Sequence, residues 1–151
     1  MNVDKNKFLS IPEKLNALDP NSKPLWGIMT PQHMVEHVVG AWRISNGRTQ
    51  VAVMLKGKEL EKRRNFLFSS DPYAQNITNP IFSDGLAPLR KANLKTAIDQ
   101  LENEMIAFFD HFDRNPNVIE AHPVFGELDY QGWIRFQSKH MLHHLAQFDL
   151  D

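Results

Sequence analysis

The chain has 151 residues, 42% hydrophobic and 23% charged, with a formal net charge of −1. This suits one soluble globular domain over 1–151, with no surplus of Lys and Arg for a dedicated nucleic-acid binder. The zero cysteine count excludes disulfide frameworks, thiolate zinc sites and cysteine nucleophiles. The N-terminal MNVDKNKFLS has no apolar segment of the secretory kind, and no apolar run approaches the roughly 18 residues of a membrane span. A cytoplasmic protein with no membrane contact is expected.

Ser10 to Glu13 reads as a capping box with Pro12 in the first turn, opening a short helix that carries Ile11, Leu15 and Leu18 on one face. Thr30-Pro31 opens a second helix, expected from Pro31 to Asn46 and stopped by Gly47. In 51–68, Val51 to Leu55 fits a strand, but Leu60, Arg63, Arg64 and Leu67 favour a charged-faced helix. Pro72, Pro80, Gly85 and Pro88 mark a long loop from Ser69 to Asn93. Asn93 caps the next helix, where Leu94, Ile98, Leu101, Met105, Phe108 and Phe112 recur at alternating steps of 4 and 3 as a bundle seam. A second loop is expected from Asn117 to Leu128. Asp129 then caps a last helix reaching about Phe148, with Leu128 and Trp133 as its hydrophobic staple. The pattern points to an all-α four-helix bundle with a crossover.

The chemistry concentrates in histidine: five of the 7 fall in two short clusters. His140 and His144 lie four apart, so both imidazoles stand on one face of the last helix, one turn apart. Such a pair alone is often only a solvated polar pair. Here Phe136, four residues before His140, turns the pair inward, and a buried imidazole needs a partner. His37, between the apolar Met34 and Val38, completes a three-His set if its helix packs on the last one. Three protein ligands with open positions suit a catalytic metal. His143, about 100° from His144 around the helix, is either a supporting residue, oriented by Gln147, or a packing residue. His33 is either a fourth ligand or a polar first-turn residue. His33 to His37 also matches H-x-x-E-H, an inverted zincin pattern in which Glu36 is the base. No E-x-x-H di-iron motif, phosphate-binding glycine loop or G-x-S-x-G elbow occurs.

The segment HPVFGELDYQGWIRFQSKHMLHHLAQF, 122–148, with LWGIMTPQHMVEHVV, 25–39, resembles the DinB-like (YfiT-like) metal-dependent proteins. It is most similar to a domain-of-unknown-function branch of that superfamily. The resemblance implies a four-helix bundle, up-down-down-up, with a long crossover loop between helices 2 and 3, where Ser69–Asn93 falls. It implies a metal triad of His37, His140 and His144, with His33 at the position of the family's alternate Gln or Cys. Relatives include thiol-dependent S-transferases and a maleylpyruvate isomerase that use bacillithiol, mycothiol or glutathione, and many dimerise. The expected function is a metal-dependent enzyme whose divalent ion, zinc or nickel ahead of iron or manganese, activates water or a cosubstrate thiol. The expected partners are a small-molecule substrate and a second copy of the chain. The alternatives are a non-catalytic metal- or small-ligand-binding bundle and an H-x-x-E-H peptidase.

Overall fold

A computed structural model describes residues 1–75 and 86–151. Among them, six helices and one two-stranded antiparallel sheet occur: α1 (Asn2–Leu9), α2 (Ile11–Asn16), α3 (Pro31–Ser45), α4 (Gly57–Leu67), α5 (Leu94–Arg114), β1 (Glu120–His122), β2 (Gly126–Leu128) and α6 (Tyr130–Ala146). None of the described helices is long and apolar enough to cross a membrane.

The centre of the fold is α5. Its predicted seam is buried in full, and Ala97 and Phe109 join it. Asn93 caps it by accepting the Thr96 N–H at 2.9 Å. Against this apolar face pack α3, through Met34, Val38 and Trp42, and the short α1 and α2, through Phe8, Ile11 and Leu15. At the far end of α3 the chain turns at Gly47, whose φ of +80° only glycine adopts cheaply. There the buried Glu104 of α5 accepts from Arg43, Arg48 and Asn46, so a carboxylate inside the protein is fully compensated.

The expectation of an all-α, up-down-down-up four-helix bundle is corrected by the β1–β2 hairpin and by the paired short helices α1 and α2. The hairpin pairs Glu120 with Leu128 and His122 with Gly126, where a loop was expected from Asn117 to Leu128. Each strand has three residues, too few to display a period-2 pattern. The hairpin is held by its surroundings instead. Nδ1 of His122 accepts the Val124 and Phe125 N–H groups at 3.0 and 3.3 Å, closing the turn. Trp133 of α6 donates its indole N–H to the Glu120 carbonyl, and Arg64 of α4 donates to the carbonyls of Phe125 and Glu127.

Two smaller expectations change as well. Ser10 is not a capping-box residue: its backbone is already helical and its hydroxyl donates to the Lys7 carbonyl, because α1 runs into α2 without an extended break. Residues 51–55 form neither helix nor strand; they pass the hairpin, and the Met54 N–H donates to the Pro123 carbonyl at 2.7 Å. The helix favoured for 51–68 is present as α4, and α6 ends at Ala146, slightly before the expected Phe148. Of the expected crossover loop, 69–75 and 86–93 hold no helix or strand, and the part at 76–85 lies outside the described residues.

Candidate metal centre

The local sequence sets two helices in register. Thr30 accepts the His33 N–H and Pro31 takes the first helical position, which starts α3 so that His37 lies two turns in. Asp129 accepts the Gly132 N–H at 2.9 Å and starts α6, placing His140 and His144 on the side that packs against α3. The Nε2 atom of His140 then lies 3.1 Å from Nε2 of His37 and 3.1 Å from Nε2 of His144. All three ligand atoms lie within 4.8 Å of one another.

This donor set fits a divalent ion. An ion bonded to imidazole nitrogen at 2.0–2.1 Å in tetrahedral directions spaces its ligand atoms about 3.3 Å apart, close to the spacing found. The oxygen of the Gln147 amide accepts from Nδ1 of His144 at 2.7 Å, which puts the proton there and leaves a lone pair on Nε2. Nδ1 of His140 is buried without a partner, so the proton that its Nε2 would shed on ligation has a nitrogen to occupy but no acceptor to hold it.

Burial keeps the cluster neutral. It pushes His140 well below the usual imidazole range, with the neighbouring His144 and His37 adding to the effect. It lowers His144 to about 3, again with help from His37. His37, which is exposed to solvent, is lowered less securely, by desolvation of its inward side and then by His143. Neutral imidazoles with free lone pairs are what a metal requires.

The other sequence candidates separate from the cluster. His33 is tied through Nδ1 to the Thr30 hydroxyl at 2.6 Å and is not among the converging ligands. Glu36 is buried and turned to the chain entering α5: it accepts the Arg90 and Lys91 N–H groups and the Gln32 amide. Burial alone would raise its pKa, but these hydrogen bonds outweigh it and hold the carboxyl below its usual range. It is a structural acceptor, and the H-x-x-E-H trio of His33, Glu36 and His37 is not assembled. His143 stands beside the centre, its ring centroid 5.0 Å from that of His144. Gln147 orients His144, not His143.

Three contributors were not singled out in the sequence as site residues: Trp26, Tyr73 and, for its actual partner, Gln147. Trp26 and Tyr73 each approach the His143 ring to 5.6 Å, and Tyr73 lies 6.2 Å from His140. Burial pushes the Tyr73 hydroxyl up. The Trp26 loop is fixed by the Leu25 N–H, which donates to the Gln147 carbonyl at 2.7 Å. Gly27, at φ +81°, lets that loop pass: a Cβ there would stand 3.2 Å from the Gln147 amide nitrogen. The W-G pair next to the early His motif was the available signal.

No family model matches the chain, and no curated protein or solved structure matches it either.

Proposed function

We propose that the protein is a small metal-dependent enzyme of the DinB-like kind, with His37, His140 and His144 holding one divalent ion, zinc or nickel. The convergence of three imidazole Nε2 atoms from α3 and α6 carries this reading. His33 lies outside the set, so three protein ligands leave room for a substrate atom, the arrangement of catalytic rather than structural sites. When bound, the ion supplies Lewis acidity that makes water or a thiol nucleophilic near neutral pH. With no cysteine in the chain, any thiol arrives on a cosubstrate. His143 is half-buried with its ring centroid 5.0 Å from that of His144, which places it to accept and return a proton beside the centre. Gln147 and the Leu25–Gly27 loop keep His144 in its ligating tautomer. The reaction is a hydrolysis or a thiol transfer on a small molecule.

Metal analysis of protein purified without a histidine tag tests this. Near one divalent ion per chain is expected, lost in His140→Ala and His144→Ala and retained in His143→Ala. Occupancy far below one after reconstitution at neutral pH, or loss in His143→Ala with retention in His144→Ala, overturns the ligand set.

A further inference from the structure

Three rings stand beside the centre, one of them, Tyr73, also packed edge-on against Phe66 of the core. Trp26 comes from the loop before α3, Tyr73 from the segment after α4 and His143 from α6. All three are only partly buried, unlike Trp42 and Trp133, which are sealed in the core. Trp26 and Tyr73 meet His143 from their two segments at interplanar angles of 58° and 59°.

The polar groups around these rings are mostly committed elsewhere. The Glu36 carboxylate is saturated by Arg90, Lys91 and Gln32. The Lys139 ammonium donates to the Asp71 carbonyl and lies 4.8 Å over the Phe66 ring. Among the described residues, the Trp26 indole N–H is buried without an acceptor, as is Nδ1 of His140. An orphaned buried donor is costly unless something supplies an oxygen or nitrogen to it.

We infer that the mouth of the three-histidine centre takes a small molecule with a planar aromatic or heteroaromatic group, seated against Trp26 and Tyr73 beside His143, with the Trp26 N–H donating to one of its oxygens. The inference deepens the metal reading and rests on it. Aromatic walls reward a flat apolar ligand, and the unpartnered Trp26 donor would orient it.

The test uses nickel-loaded protein and two probes that share a metal-binding head, acetohydroxamate and benzohydroxamate, titrated calorimetrically. Benzohydroxamate should bind about tenfold tighter, the scale of one good ring contact with its buried area. Trp26→Ala and Tyr73→Ala should each erase most of that preference, read as the ratio of the two probe affinities within each nickel-loaded variant. Trp26→Phe, which keeps a ring but removes the N–H, should retain part of it. Equal affinities for the two probes in the parent protein, or a preference that survives both alanine variants, overturns the aromatic ligand but leaves the metal centre standing. Binding of neither probe to nickel-loaded protein overturns the open coordination position and this inference with it.

Discussion

Gln147 decides which nitrogen of His144 faces the centre. Its amide oxygen accepts from Nδ1, and its own backbone carbonyl accepts from Leu25, so it is fixed from two sides. Partners of this type typically govern 10–100-fold in metal affinity. Gln147→Leu, similar in size but without the acceptor, should therefore weaken nickel or zinc binding by roughly that factor. Competition titration against a chelating dye measures it, with circular dichroism checking that the helices persist. Unchanged affinity would mean that His144 keeps its tautomer without help. At this scale much of the site was readable: the four-residue spacing put His140 and His144 on one face, and His37 lay on an apolar stripe. The long-range partners, Arg90 and Lys91 for Glu36 and Leu25 for Gln147, were not readable, whereas Gln32–Glu36 and His144–Gln147 are local helix contacts. Glu36 meets residues 54 and 55 positions away, and no local periodicity reports such a contact.

The β1–β2 hairpin shows what an element can owe to one side chain. His122 is 7% exposed and accepts two backbone N–H groups through Nδ1, and burial holds it at about 3. In the unfolded chain the same imidazole titrates near 6.5. Above that pH both states are neutral and the clasp contributes fully. As pH falls through 6.5 toward 3, the unfolded chain takes up a proton that the folded one refuses, so stability falls. The loss approaches about 1.4 kcal/mol per pH unit for one such group. Denaturant unfolding of metal-free protein between pH 7 and 4.5 should show that His122→Asn, which cannot titrate, has a shallower decline than the parent by about that slope. Parallel curves would show that His122 does not carry the difference. The helices α3, α5 and α6 were legible because each has a side-chain cap and long apolar periodicity. The hairpin and α1 were not: three-residue strands carry no period, and α1 buries only Phe8 among eight residues.

The core of the whole molecule does not depend on an ion at the three histidines. The α5 seam, Trp42, Trp133 and Phe125 are sealed without reference to His37, His140 and His144, and Glu104 is satisfied within the protein. Chelation should therefore leave the far-ultraviolet circular dichroism of the helices intact at 25 °C. Melting should nevertheless come earlier. At free metal about 100 times the dissociation constant, the lost linkage is about 2.7 kcal/mol, roughly 5–10 °C for a chain of this size. An apo form that is largely unfolded at 25 °C would make the ion a structural staple and count against catalysis.

His37 and His140, whose Nε2 atoms lie 3.1 Å apart, are separated by 103 positions in the chain. Contacts between residues so distant in sequence pay their loop entropy late, after local helices and the α3–α5 packing have formed. An ion held across them consolidates a state that already exists and does little to create it. Its imprint is consequently kinetic: in stopped-flow measurements the metal should slow the unfolding limb of the chevron and leave the refolding limb nearly where it was. Through such an ion the three histidines would set the lifetime of the folded protein more than its speed of arrival.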